Sequence, residues 1–239
     1  IRDRRYLVWS EFSRSGMPLL LLIGGAPGSG KSTIATALAS QLDIFRTQST
    51  DMLREVMRMM TPERLLPVLH RSSFDAWQAL PDTLGSADQE DKVVAGYRSQ
   101  TELLSVSCEA VVQRAVRERV SMVLEGVHID SSLVRRLEYD ADVVVVPVML
   151  GILKQGVLRK RIRGRGGKAP QRRSERYLKS FDAIWQLQSY LLSEADKEQI
   201  SIVANEDKDS TVAEILSIIA DTLSAKLKPT LKQVCPAAG

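Results

Sequence analysis

Apolar residues fall in two kinds of run along this 239-residue chain. Leu19–Ile23 and the stretch 142–150 (DVVVVPVML) are continuous runs, with the length and apolar density of strands buried on both faces. Residues 45–50 (FRTQST), 121–126 (SMVLEG) and 200–204 complete five predicted strands. Between them the apolar positions recur at helical spacing. They include 34, 35, 38 and 42 after the first strand, Val94, Tyr97, Leu104, Val111 and Val112 within 88–118, and Tyr177, Phe181, Ile184 and Leu191 within 174–198. The predicted helices are a short one in 1–17 ended by Gly16 and Pro18, then 30–42, 52–60, 88–118 (one, or two joined near Gly96), 153–163, 174–198 and 210–227. Ser174 is the expected cap of the sixth, and Asp209 or Ser210 of the last. Strands alternating with helices predict an α/β three-layer sandwich with a central parallel sheet of about five strands.

Three departures from plain alternation set the organisation. Residues 1–17 precede the first strand, and 18–228 form the main domain, with a loose tail at 229–239. The interval after the second strand is longer than a crossover needs and is punctuated by Pro62, Pro67, Pro81 and Gly85. It reads as a helical insertion, 52–118, that would bind an acceptor. Residues 159–176 contain a glycine- and arginine-rich loop, which reads as a mobile lid.

The first strand runs into GGAPGSGKST, residues 24–33, which contains Gly-x-x-x-x-Gly-Lys-Ser and then opens a helix. Strand, loop and helix together are the context that makes this phosphate-binding pattern specific. Gly25, Ala26, Pro27, Gly28, Ser29, Gly30, Lys31, Ser32 and Thr33 are therefore assigned to the phosphates of a nucleoside triphosphate, ATP. Backbone N–H groups and the helix dipole meet the anion. Lys31 supplies charge at the β- and γ-phosphates, and Ser32 is the expected magnesium ligand. An ordinary glycine-rich turn is the plainer reading, and the flanking strand and helix weigh against it.

Ligands of parallel sheets bind beyond the carboxyl ends of the strands. Asp51 follows the second strand, and Glu125 and His128 end the third. Asp51 can accept the acceptor's proton or cap the next helix. Glu125 can order the magnesium shell or sit buried beside a lysine. His128, Arg54 and Arg176 are candidates for an anionic acceptor, with packing or solvation as their plainer roles. His70 has no such context.

Charge sharpens this picture more than composition does. The net charge is only +4, but 154–176 holds ten basic residues and one acid, Glu175. Arg163 and Arg172 are candidates for stabilising the transferring phosphoryl, and Arg165 for holding ATP. A solvated basic face is the alternative. Aromatic residues at 5% are too few for an extended nucleic-acid groove, so Trp9, Trp77 and Trp185 read as packing residues. Cys108 and Cys235 lack metal-type spacing and imply a reducing, cytoplasmic setting. No stretch is long enough to span a membrane. The chain opens on Ile1 rather than Met, as a fragment or trimmed chain does.

The segments GGAPGSGKSTIATALA, STDMLREVMR, LEGVH and RYLKSFDAIWQLQSYL, in that order, resemble the 2-phosphoglycerate kinases over about Tyr6 to Leu223. The resemblance implies a P-loop kinase fold, ATP with magnesium, and 2-phosphoglycerate converted to 2,3-bisphosphoglycerate. It also implies that the second strand lies beside the first. A kinase for another acceptor, such as a sugar acid, a nucleotide sugar or a polynucleotide end, and a nucleotide-gated regulatory ATPase remain as alternatives. No Asn-Lys-x-Asp stretch favours a GTPase.

Overall fold

The computed structural model describes residues 2–81, 88–137, 142–164 and 171–227. Five strands form one parallel sheet: β1 (Leu19–Gly25), β2 (Arg46–Ser49), β3 (Met122–Gly126), β4 (Val144–Gly151) and β5 (Ser201–Ala204), in the order β2-β3-β1-β4-β5. The second strand therefore pairs with the third, and not with the first as expected. β3 separates them, so β2 lies two strand spacings from β1, roughly 10 Å.

Every residue of β1 is buried, and alternate side chains serve different layers. Leu19, Leu21 and Ile23 join Ile34, Leu38, Ile215, Ile219 and Leu223 in one core. The helices of that layer are α1 (Arg2–Ser15), α2 (Lys31–Gln41) and α9 (Lys208–Leu227). Leu20 and Leu22 join Cys108, Val112, Leu124 and Leu133 in another, under α4 (Gln89–Arg117) and α5 (Ser131–Arg136). A third core gathers Phe74, Tyr97, Met149, Phe181, Ile184 and Leu187 beneath α8 (Phe181–Lys197). Three layers with a parallel sheet in the middle are the architecture the alternation predicts.

After β2, α3 (Thr50–Met60) leads into two short 3-10 turns, Pro67–His70 and Ala76–Ala79, before α4. α4 is one helix through Gly96. A side chain there would strike the backbone nitrogen of Trp77, so the missing Cβ lets the Ala76–Ala79 turn lie on the helix. Cys108 and Val112, in the second half of α4, face the sheet, so that half belongs to the covering layer.

Two boundaries differ from expectation. Residues 174–198 are not one helix: α7 (Gln171–Lys179) and α8 break at Ser180, and position 174 lies inside α7. Ser180 Oγ donates to Asp75 Oδ1 at 3.2 Å while Arg176 donates to Asp75 Oδ2 at 3.1 Å, so a carboxylate 105 positions from Ser180 holds the break. The last helix starts at Lys208 rather than 210, because Asp207 is the capping side chain and accepts the Ser210 N–H at 2.9 Å. After β4 runs α6 (Gln155–Gly164), so 159–164 and 171–176 of the stretch read as a mobile lid are helical, in α6 and α7. The loop 165–170 and the tail 228–239, with Cys235, lie outside the described residues.

Gly96→Ala separates helix propensity from packing. Propensity alone favours alanine by up to about 1 kcal/mol. The Trp77 backbone cannot yield as a flexible side chain would, so we expect a net loss of about 1–3 kcal/mol by urea unfolding. A more stable variant would show that the turn moves aside freely.

Candidate active site

The phosphate loop closes around backbone. Gly25, Gly28 and Gly30 have φ of 145°, 94° and 92°, conformations that L side chains rarely adopt. At Gly30, which precedes α2, a Cβ would also meet the Asn205 amide. The Thr33 and Ile34 amides at the start of α2 donate to the Gly30 carbonyl at 3.1 Å, so the helix opens directly on the loop. Ser29 Oγ is buried without a hydrogen-bond partner among the described residues. Lys31 is buried, and its Nζ donates to the Ala26 carbonyl at 3.0 Å. Left-handed glycines, an orphaned hydroxyl and an ammonium folded over the loop are the parts that a polyphosphate satisfies.

The loop is also braced from the far side of the sheet. Asn205, just past β5, donates from Nδ2 to the Ser29 carbonyl at 2.7 Å, and its Oδ1 accepts from Thr211 Oγ1 at 3.2 Å. Arg161 of α6 donates from Nη2 to the Glu206 carbonyl at 3.0 Å. Neither residue was singled out from sequence. Asn205 was accessible to the reasoning that found Asp51: it is a polar residue at the carboxyl end of a strand.

Ser32 Oγ donates to Glu125 Oε1 at 3.0 Å, which brings the loop and the end of β3 to one point. Glu125 is 7% exposed and lies level with Ile23 on one side and Ser49 on the other. Among the described residues no group of three or more His, Cys, Asp or Glu could hold a metal by itself. A cation here would share the Ser32 hydroxyl and the Glu125 carboxylate with phosphate oxygens, a donor set that suits magnesium.

Asp51 is the second residue of α3, two positions past Ser49, the residue level with Glu125. Its side chain is 65% exposed, and its nearest cation is Arg54, with Nε at 3.9 Å from Oδ1. It is not the helix cap. Ser49 caps α3 by accepting the Asp51 N–H at 3.2 Å, which leaves the Asp51 carboxylate free of that task.

Three candidates are corrected by their partners. His128 is 1% exposed and cannot touch an acceptor in this arrangement: Nδ1 meets Thr50 Oγ1 at 3.0 Å and Nε2 meets Gln100 Oε1 at 2.9 Å. Arg54 Nη1 donates to the Leu69 and Arg71 carbonyls at 3.1 and 2.9 Å, holding the turn at 67–71. Arg176 is committed to Asp75. In each case the spacing identified a polar residue near the edge but could not show that another part of the chain occupied it. Arg163 is exposed at the end of α6. Arg165 lies outside the described residues, and of Arg172 only its place in α7 is described. His70 Nε2 meets the Thr61 carbonyl at 2.9 Å.

Burial pushes the His128 pKa down from 6.5 to about 4; Asp51 opposes the shift, while Arg54 and Lys31 add to it. The folded protein therefore keeps this imidazole neutral where the unfolded chain protonates it. The resulting stability is present above about pH 6.5 and is lost as pH falls toward 4. We expect His128→Gln to remove an acid-dependent loss of about 2–3 kcal/mol between pH 7 and 4.5. Urea midpoints of both proteins at the two pH values test this, and equal losses would contradict it.

The Zeta toxin family model matches residues 5–64, which hold α1, the phosphate loop, β2 and α3. The chain is 33% identical to a 2-phosphoglycerate kinase of Pyrococcus horikoshii over 90% of this chain and 69% of that protein. It is 36% identical to one of Thermococcus kodakarensis over 90% of this chain and 70% of that protein. Among solved structures, a gluconokinase from Sinorhizobium meliloti superimposes with a TM-score of 0.47 at 18% identity, over 89% of this chain and 95% of that one. The phosphate loop and the acids beyond β2 and β3 thus stand in a chain that aligns with these archaeal proteins over nine tenths of its length, and it belongs to the 2-phosphoglycerate kinase family.

Proposed function

We propose that the protein transfers the γ-phosphoryl of ATP to the free hydroxyl of 2-phosphoglycerate, giving ADP and 2,3-bisphosphoglycerate. The observation that carries this reading is the Ser32–Glu125 hydrogen bond, in a chain that aligns over 90% of its length with 69% of a 2-phosphoglycerate kinase. Ser32 and Glu125 are the residues that would hold magnesium, which would supply charge neutralisation at the transferring group. The loop amides and Lys31 hold the β- and γ-phosphates, and Asp51 lies on the acceptor side of Glu125. Its carboxylate orients the acceptor hydroxyl in line with the γ-phosphorus and takes its proton as the new P–O bond forms. The β–γ bridging oxygen leaves with ADP. The strand order supports this reading: β3 lies between β1 and β2, so Glu125 lies between the phosphate loop and Asp51.

Purified protein with ATP and magnesium should consume ATP on addition of 2-phosphoglycerate, and not with gluconate or a 5′-hydroxyl oligonucleotide. ATP consumption with either of the latter in preference would move the assignment to another acceptor. Lys31→Ala should lower turnover by at least about 10²-fold, with the fold kept. Asp51→Asn should lower it by about 10²–10⁴-fold. Because Ser49 is the cap, Asp51→Asn should lose at most the helix-dipole contribution of about 1 kcal/mol, with ATP affinity retained. Wild-type turnover in Asp51→Asn would assign the base elsewhere.

A further inference from the structure

The two motifs beyond the phosphate loop, Ser49-Thr50-Asp51 and Glu125-Gly126-Val127-His128, touch through their middle and last residues. Thr50 is fully buried, and its Oγ1 and Cβ occupy the space that a side chain on Gly126 would fill. The same hydroxyl meets His128 Nδ1. Beyond the ring, Gln100 of α4 continues the chain. Its Nε2 donates to the Val68 carbonyl at 2.6 Å and to the Arg71 carbonyl at 3.0 Å, so its Oε1 is the end turned to His128.

Donor and acceptor roles then follow without choice. Gln100 Oε1 can only accept, so His128 Nε2 carries the proton. Nδ1 of the neutral ring must accept, so Thr50 donates to it. Tyr97 lies parallel to the imidazole, with centroids 6.3 Å apart and planes 12° apart, and its hydroxyl donates to the Val127 carbonyl at 2.9 Å. The ring is thereby fixed in position and tautomer. Arg54 closes the circuit by holding the Leu69 and Arg71 carbonyls from α3 itself.

We propose that His128 is a positioning residue for the acceptor: through Thr50 and Gln100 it fixes the start of α3, and with it Asp51, relative to Glu125 and to the turn at 67–71. A neutral imidazole supplies the acceptor and the donor that these two partners require, on two atoms of one rigid ring. A shift of α3 would move Asp51 and leave the phosphate loop, braced separately by Asn205, where it is. The inference rests on the kinase reading for its kinetic consequence and stands apart from that reading in its tautomer.

Two measurements test it. Nitrogen-15 NMR of the wild-type protein, with the second histidine identified by His70→Asn, should show His128 neutral and protonated on Nε2 between about pH 6 and 8. An Nδ1-protonated ring, or one that titrates in that range, overturns the proposal. In steady-state kinetics with 2-phosphoglycerate, Thr50→Val keeps the shape and deletes the hydroxyl. It should worsen kcat/KM for the acceptor by about tenfold or more while KM for ATP stays within about twofold. Thr50→Ser should restore the acceptor constant to within about threefold of wild type. Equal behaviour of the two variants, or parallel loss for ATP and acceptor, would mean that the contact is structural only and would overturn the positioning role. A wild-type protein inactive on 2-phosphoglycerate would instead remove the acceptor assignment. The tautomer, and a change in the Nδ1 resonance in Thr50→Val, would then decide the inference by themselves.

Discussion

Burial of β1 on both faces is the constraint from which the remaining structure follows. A strand of seven residues with no exposed member has to be covered twice, by α2 and α9 on one side and by α4 and α5 on the other. Covering both faces requires crossover helices, crossovers make the neighbouring strands parallel, and parallel strands send all their carboxyl ends to one edge. The phosphate loop, Glu125, Thr50 and Asn205 come from four different strand ends and meet there for that reason alone. The hydrophobic effect thus brings together polar residues from distant parts of the chain, which then bond to one another there.

At that edge, most polar side chains are occupied by other parts of the protein. Asn205 holds the loop, His128 holds Thr50 and Gln100, Arg54 and Gln100 hold the turn at 67–71, and Asp75 holds the junction of α7 and α8. Such an arrangement is costly to assemble with any member missing, since each buried donor left without its acceptor is penalised. It also leaves few groups for chemistry. Lys31 and Ser32 open α2 beyond β1, Glu125 lies in β3 and Asp51 follows β2, so the four are spread over three neighbouring strands of the sheet.

A second feature of the surface is the outward face of α3. Met52, Val56, Met59 and Met60 recur at helical spacing and are all exposed, beside an inner face formed by Thr50, Leu53, Arg54 and Met57. The inner face is the one that the Arg54 and Thr50 hydrogen bonds engage. That inner face also carries Leu53, which packs against the core under α4, so α3 lies on the protein through polar and apolar contacts together.

Local signals in the sequence determined the strands, the phosphate loop and the edge on which Asp51 and Glu125 fall, because periodicity and loop chemistry are carried by residues near one another in the chain. The sequence also placed α1, and the end of that helix at Gly16. What it could not decide was anything set by residues far apart. The order β2-β3-β1 depends on which strand packs beside which, and strands of similar composition do not encode it locally. The break at Ser180 depends on Asp75, 105 positions away, and the role of His128 on Thr50 and Gln100, 78 and 28 positions away. A histidine near a strand end looks the same in sequence whether it faces a ligand or a threonine. Only the tertiary structure, by placing Gly126 where Thr50 can rest on it, decided that this one was spoken for.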